Sequence, residues 1–237
     1  MNEILAIGLR AMQADAARVD QAGLNLSNVL TPGYKRGVAV QKAPQAALAN
    51  VPAVAMHVDT RAATLKPTGQ ALDLALAGPG WFEVTTANGP AYTRQGNFHV
   101  DAQGRLVTAR GEAVMGTAGE IVLGAKRAAI SSSGEVRDAD ADPGSAPLAR
   151  LRIVDFDAGS QPQRLENGAF TAPAATKEVD PAQAQVRQGY LENSNVDAGQ
   201  EMTSLVVAMR HFESMQKVVQ GLDEMLGTAI RKLGENT

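Results

Sequence analysis

The chain has 237 residues, of which 44% are hydrophobic and 20% charged, and its formal net charge is -3. These values are typical of a globular protein, and the interspersed acidic and basic residues argue against nucleic acid as a partner. The sequence contains no cysteine, which excludes disulfides and cysteine-based metal sites, and no apolar run approaches the roughly 20 residues that span a bilayer.

Apolar side chains recur at alternating spacings of three and four in the first thirty residues, which is the heptad pattern of an amphipathic helix. A helix over residues 3–30 would be about 42 Å long. The sequence TPGY follows at once. Because Thr31 precedes a proline and Gly33 can adopt the left-handed conformation, we expect the helix to end there. The predicted seam consists of Leu5, Leu9, Met12, Ala16, Val19, Gly23, Leu26 and Leu30.

The pattern changes to a two-residue period in the middle of the chain. After a helix and turn at 1–34, residues 35–70 contain three prolines and few large apolar groups, which predicts a linker with extended segments. Residues 71–157 alternate apolar and polar side chains between turn sequences such as ANGP and DAQG. They predict a central all-β domain of short antiparallel strands. Residues 158–190 have the composition of return loops and a second linker.

A second amphipathic helix is predicted in residues 191–237. Asp197 is the predicted N-cap, and Gln200 three places later can complete a capping box. A helix over residues 198–233 would be about 54 Å long. Its predicted stripe consists of Met202, Leu205, Met209, Phe212, Met215, Val219, Leu222, Leu226, Ile230 and Leu233.

Both terminal stripes need a partner, because an amphipathic helix is stabilised chiefly by burying its apolar face. A β domain of this size is too small to cover helices of about 42 and 54 Å. We therefore predict an α+β fold in which the two helices pair as a coiled-coil-like hairpin next to the β domain. Further copies or related subunits would cover the remaining apolar edges. The alternative is that both helices fold onto the β domain or form a simple dimer.

The sequence contains no complete motif of a metal site or a nucleotide-binding site. His57, His99 and His211 lack the spacing of zinc ligands, and His211 is expected on the polar face or at an interface of its helix. The sequence GPGWFE lacks the third glycine of a dinucleotide fingerprint, and Trp81 and Phe82 within it are expected to pack inside the β domain. We predict no catalytic residue, metal, cofactor or small-molecule substrate. The alternative of another class is a secreted β-domain enzyme or binding module.

Two terminal segments resemble signatures of bacterial flagellar rod and hook proteins. The segment LNLSNVLTPGYKR resembles the N-terminal signature, and the segment that begins QGYLENSNVDAGQ resembles the C-terminal one. The segment from LDLALAGPGWFEV to GEAVMG resembles the β domain that hook and larger rod proteins share. The matching positions are Asn25, Leu26, Asn28, Thr31, Pro32, Gly33 and Tyr34, then Gly189, Glu192, Ser194, Asn195, Val196, Met202 and Phe212.

The resemblance implies a structural subunit of the basal-body rod, which crosses the periplasm. The partners would be other copies of the chain, related rod subunits and, during secretion, the flagellar export apparatus. The terminal stripes would then be subunit interfaces. The start MNEILAIGLR lacks the pattern of a cleaved signal peptide, so export without one is expected. Within the family, the chain length, TPGY, GW at residues 80 and 81, and GEAVMGTAGEIVL are most like proximal-rod members, with a distal-rod or hook-family protein as the alternative.

Overall fold

The computed structural model describes residues 2–41, 54–124, 126–142, 144–157, 160, 162–165, 168–172 and 176–234. Helices and antiparallel strands are both present, which confirms the mixed α and β content and the central antiparallel region. Within these residues, no helix combines the length and the apolar character that a membrane span requires.

The described part of the chain begins with a long helix, continues through nineteen strands and ends with a second long helix. A short helix lies between the seventeenth and eighteenth strands. The elements are α1 (Asn2–Ser27), β1 (Gly37–Gln41), β2 (Val54–Val58), β3 (Leu65–Pro67), β4 (Leu74–Leu76), β5 (Trp81–Thr86), β6 (Gly89–Thr93), β7 (His99–Val100), β8 (Leu106–Val107), β9 (Ala113–Gly116), β10 (Gly119–Glu120), β11 (Ala128–Ile130), β12 (Glu135–Asp138), β13 (Ala149–Arg150), β14 (Ile153–Phe156), β15 (Gln163–Arg164), β16 (Phe170–Thr171), β17 (Thr176–Glu178), α2 (Pro181–Ala184), β18 (Val186–Gln188), β19 (Tyr190–Glu192) and α3 (Ala198–Gly234).

The chain divides into two compact units. The helical unit comprises the described residues within Met1–Ser27, Gly37–His57 and Asp197–Thr237. The β unit comprises those within Asn28–Arg36 and Val58–Val196. The segment boundaries predicted at residues 34, 70, 157 and 190 stay predictions.

The helical unit contains α1 and α3, which contact each other, and β1, which pairs with β2. α1 ends at Ser27, three residues before the predicted end at residue 30. The reason is a turn, in which the Thr31 amide donates to the Asn28 carbonyl at 3.1 Å. α3 begins as predicted, because Oδ1 of Asp197 accepts a hydrogen bond from the Gln200 amide at 3.1 Å. Pairing as a coiled-coil-like hairpin stays a prediction.

Strand β5 lies at the centre of the largest sheet of the β unit. β6 pairs with one edge of β5, and β9 and β14 pair with the other edge. Among the described strands, the main path of this sheet is β15-β16-β6-β5-β9-β8-β7, with β10 paired to β9 and β17 to β14. Smaller sheets are formed by β11-β12-β13, by β18 with β4 and by β19 with β3.

The β unit has apolar clusters on both faces of β5. Phe82 and Val84 are fully buried in the larger cluster, where the Phe82 ring meets the Phe98 ring edge-on at 5.3 Å. Trp81 points to the opposite face, where the centroids of its ring and the Phe170 ring are 4.9 Å apart. Because successive side chains of a strand point to opposite faces, one strand supplies both clusters. The prediction that Trp81 and Phe82 pack inside the β domain is confirmed.

Candidate assembly site

Exposed apolar side chains are concentrated in the helical unit. Fifteen large hydrophobic residues of the described chain are exposed, and only Leu30, Val122, Leu148 and Tyr190 of these lie in the β unit. The hydrophobic residues that the described helical unit buries are the small Ala22 and Ala208. The eleven exposed ones in the helical unit are Ile7, Leu9, Leu24, Val40, Met56, Met202, Val206, Val207, Met209, Val218 and Met225.

The buried line of α1 is offset by one residue from the predicted apolar seam. Gly8 is buried while Leu9 is 55% exposed, and the same offset recurs one heptad later at Asp15 and again at Ala22. One residue corresponds to a rotation of about 100° around a helix. A Cβ at Gly8 would lie 3.1 Å from Cγ2 of Val219 on α3, so small residues allow the helices to approach closely.

The predicted seam residues of α1 therefore lie beside the α3 contact or on the exposed surface. Leu30, in the turn that follows α1, is 90% exposed. The side chain of Leu5 lies outside the described residues. Half-buried positions are taken by Met12, Val19 and Leu26.

On α3 the predicted stripe divides in two. Glu201 and Ala208 are buried, and the half-buried positions continue the same line at spacings of three and four. Met202 and Met209, each one residue further, are exposed. The side chain of Leu226 lies outside the described residues. The half-buried predicted residues are Leu205, Phe212, Met215, Val219 and Leu222.

Asp15 places a buried carboxylate between the two helices. Its Oδ1 accepts a hydrogen bond from Nη1 of Arg18 at 2.9 Å, and its Oδ2 lies within hydrogen-bonding distance of Nδ1 of His211 on α3. A buried polar group in a helix contact specifies register, because sliding the helices would leave it without its partner. The His211 side chain itself is about half exposed.

Asn25 of the N-terminal motif joins three elements of the helical unit. Its Nδ2 donates to the carbonyl of Gly37 at 2.8 Å and to Oε2 of Glu201 at 3.1 Å. Its Oδ1 accepts from the amide of Gly37 at 2.9 Å and from Nε2 of Gln21 at 3.0 Å. All the hydrogen-bonding capacity of the amide is thereby used. Since Asn25 is 1% exposed, only an amide of this size satisfies α1, β1 and α3 together.

The TPGY turn belongs to the β unit. Gly33 has φ +67, and a Cβ there would lie 2.3 Å from the carbonyl carbon of Arg94, so glycine is required at this close approach. The Gly33 amide donates to the carbonyl of Glu192 at 2.7 Å. Oδ1 of Asn28 accepts from the Thr31 hydroxyl at 3.1 Å, and Pro32 is half-buried. Gly33 thus docks the turn rather than capping α1.

Directly after the turn, Lys35, Arg94 and Glu192 form a buried ionic group that we call the Lys35 cluster. Nζ of Lys35 lies 2.7 Å from Oε1 of Glu192, and Nη1 of Arg94 lies 3.3 Å from Oε2 of the same carboxylate. Nζ of Lys35 also donates to the Arg61 carbonyl at 2.8 Å. The three side chains are at most 6% exposed. One carboxylate therefore holds two cations from separate segments.

Burial governs the electrostatics of the Lys35 cluster. It lowers the pKa of Lys35 below its ordinary value, while the nearby charge of Glu192 opposes that shift. Burial likewise lowers the pKa of the Arg94 guanidinium, again against the effect of Glu192. Nε of Arg94 is buried and has no hydrogen-bond partner among the residues that the structure describes. The cluster depends on Glu192, because without this carboxylate two cations would face each other in a dry environment.

An arginine from β15 covers the same turn. The guanidinium of Arg164 stacks over the Tyr34 ring at 4.2 Å and over the Phe170 ring at 5.0 Å. Its Nη2 donates to the Lys35 carbonyl. Tyr34 is buried, so this aromatic position of the motif packs within the β unit.

The C-terminal motif residues connect strands to the turn. Gly189 has φ +78 and separates β18 from β19, so the chain changes pairing partner from β4 to β3 at that point. Oδ1 of Asn195 accepts from the Arg36 amide at 2.6 Å, and its Nδ2 donates to the Asp59 carbonyl at 2.9 Å. Val196 is buried.

Sequence reasoning did not identify Lys35, Arg94, Asp15 or Glu201 as site residues. Lys35 directly follows the TPGY motif, so its position next to the N-terminal signature could have identified it. Glu192 is a matching position of the C-terminal signature, but its ionic contacts were not predicted. For metal binding, the described residues contain no group of three or more His, Cys, Asp or Glu side chains that could hold an ion.

A helical unit with an exposed apolar surface and a β unit with a closed core are typical of structural subunits that assemble. A family model described as the flagellar hook protein FlgE/F/G D1 domain matches residues 75–137. One described as the flagellar basal body rod FlgEFG protein C-terminal matches residues 187–232.

Three curated relatives extend over most of the chain. The flagellar basal-body rod protein FlgF of Escherichia coli is 33% identical, covering 92% of this chain and 94% of the relative. The rod protein FlgG of Agrobacterium fabrum is 31% identical, covering 97% and 98%. The FlgF of Caulobacter vibrioides is 28% identical, covering 99% of both chains. The chain belongs to the family of flagellar basal-body rod proteins.

Proposed function

We propose that the chain is a FlgF-type structural subunit of the proximal flagellar rod, which assembles through α1 and α3. The single observation that carries this proposal is the set of eleven exposed large hydrophobic residues in the helical unit. The two helices would pair as a coiled-coil-like hairpin. Neighbouring copies and related rod subunits would then cover its apolar surface.

Burial of these side chains would supply the cohesion of the rod. Covering one large aliphatic side chain contributes about 1.5–3 kcal/mol, so even a few contacts per subunit stabilise an assembly. Apolar contacts are not directional. The polar groups Asp15 and Asn25 would therefore define the arrangement of the helices that present the surface. The β unit would make lateral contacts that resist torque, and the role would be mechanical, without catalysis.

The position in the rod is the finer part of the proposal. The identities to FlgF and FlgG relatives are similar, so the proximal assignment depends on the TPGY, GW and GEAVMGTAGEIVL sequences. We expect the chain to restore rods in a strain that lacks its FlgF-type protein. Restoration only of a strain that lacks its FlgG-type protein would assign the distal rod instead. Export would use the flagellar apparatus.

Assembly through the helices is tested with Leu9→Gln and Met209→Gln, which place an amide on the exposed surface. We expect both variants to fold and to be missing from basal bodies examined by electron microscopy and immunoblotting. Ser204→Gln is the matched control, because it introduces the same side chain at an exposed polar position of α3. Normal rods containing either Leu9→Gln or Met209→Gln would contradict assembly through these helices.

A further inference from the structure

The helical unit contains a groove between α1 and α3 with an apolar floor and an acidic rim. It encloses about 390 Å³. Val19 of α1 and Met209 and Phe212 of α3 form its apolar lining, and Asp20 and Glu213 lie at its exposed edge. A ligand for this groove should combine branched apolar side chains with a cation.

The chain carries a patch of this composition on the adjoining side of α3. Val206 is 46% exposed and Val207 is 62% exposed, and Arg210 is exposed as well. Residues separated by three or four positions are neighbours on a helix surface, so Arg210 is a neighbour of both valines on α3. We call Val206, Val207 and Arg210 the valine patch.

Resting on the assembly proposed above, we infer that the groove of one copy binds the valine patch of a second copy. The valines fill the apolar floor against Val19 and Phe212. Arg210 meets the two rim carboxylates, Asp20 and Glu213. Opposite charges at the edge of an apolar contact select the partner and its orientation.

The relative placement of the two surfaces determines the kind of assembly. At about 100° per residue, the groove side and the valine patch are separated by roughly 120° around α3. One copy can therefore present its patch to a second copy while its own groove binds the patch of a third. Such a heterologous contact extends into a helical array if the rotation does not close a ring.

The absence of cysteine permits a direct test by disulfide formation. Val206→Cys keeps a small apolar side chain in the patch, and Gln216→Cys places a thiol in the groove lining. The two positions are ten residues apart, about 15 Å along one helix, which exceeds the roughly 7 Å that a disulfide allows between Cα atoms. Any disulfide between them must join two copies.

We expect oxidation of basal bodies that contain the double-cysteine chain to yield a covalent homodimer, which each single-cysteine variant fails to give. A chain that enters the rod but gives no homodimer, or cross-links only to another subunit, overturns the inference and leaves the proposed function intact. If the wild-type chain itself is absent from rods, the proposed function fails as well.

Charge exchange provides a second measurement that needs no cysteine. Arg210→Glu should lower the amount of chain in isolated rods roughly three- to tenfold, because it replaces attraction by repulsion at the groove rim. Adding Asp20→Arg should restore most of that loss, because Asp20 is the rim carboxylate on α1 and not a neighbour of Arg210 along α3. Equal incorporation of wild type and Arg210→Glu, or no rescue by the second change, would overturn the inference.

Discussion

The two units of this chain bury opposite kinds of residue. The β unit buries aromatic and branched side chains around β5, whereas the described helical unit buries two alanines, two glycines and several polar groups. A closed apolar core makes a unit stable by itself, since burial is the main favourable contribution to folding. We infer that the β unit folds alone, whereas the described helical unit has little apolar burial of its own.

Optical signals separate the two units experimentally. Trp81 is the only tryptophan of the chain and lies in the β unit, so its fluorescence reports unfolding of that unit. The helical signal in far-ultraviolet circular dichroism arises mainly from α1 and α3, because α2 has four residues. Substitutions that affect one signal and leave the other unchanged would sharpen the comparison.

The largest effect is expected for Glu192→Gln, which removes the carboxylate of the Lys35 cluster. Lys35 and Arg94 would remain buried without compensation, so the free energy of unfolding of the β unit should fall by about 3–5 kcal/mol. Urea titration followed by Trp81 fluorescence measures this change. Lys35→Met should lower stability less, because Glu192 keeps Arg94 as its partner.

A matched control for Glu192→Gln is Glu178→Gln, which makes the same change at an exposed position of β17. Its effect should stay within about 0.5 kcal/mol. Equal effects of the two substitutions would show that the Lys35 cluster contributes nothing particular to the β unit.

A smaller and differently located effect is expected for Asn25→Asp. The new carboxylate cannot donate to the Gly37 carbonyl and lies next to Glu201, so the helical unit should lose about 2–3 kcal/mol. We expect the helical signal to melt at lower temperature while the Trp81 transition stays unchanged. Asn88→Asp, an identical change at an exposed turn of the β unit, should alter neither signal. A shifted Trp81 transition in Asn25→Asp would contradict the independence of the units.

The sequence predicted the elements better than their contacts. Heptad spacing located α1 and α3, and alternation with turn sequences located the β region, because these signals are local. The side of α1 that meets α3 depends on the close approach at Gly8, whereas large apolar residues dominate the periodicity of the sequence. The sequence therefore predicted which residues of α1 form the buried line only to within one residue.

The buried polar clusters were beyond sequence reasoning for a related reason. Lys35 and Glu192 are 157 positions apart, and Asn25 and Glu201 are 176 apart. Such pairs follow from tertiary packing, and a lone lysine or glutamate in a sequence is ordinarily a solvated residue. The resemblance identifies the motif residues Asn25 and Gly33, but their hydrogen bonds and close approaches follow only from the tertiary fold.

The smallest effect is expected for Glu83→Gln, which should raise the free energy of unfolding of the β unit. Burial raises the pKa of Glu83, with Arg152 opposing the shift and Glu178 adding to it. A charge that burial disfavours lowers stability at neutral pH, so the neutral variant should be more stable there, by less than about 1 kcal/mol after loss of the Arg152 contact.

The pH dependence of this difference gives the decisive measurement. Because the pKa of Glu83 is higher in the folded than in the unfolded chain, the folded wild type binds a proton first as the pH falls. Wild type should therefore gain stability relative to Glu83→Gln as the pH drops through the folded-state pKa, and the gain should stop below the unfolded value. Urea titrations of both proteins between neutral and acidic pH, followed by Trp81 fluorescence, test this. A difference that stays constant with pH would show that burial of the Glu83 charge does not limit the stability of the β unit.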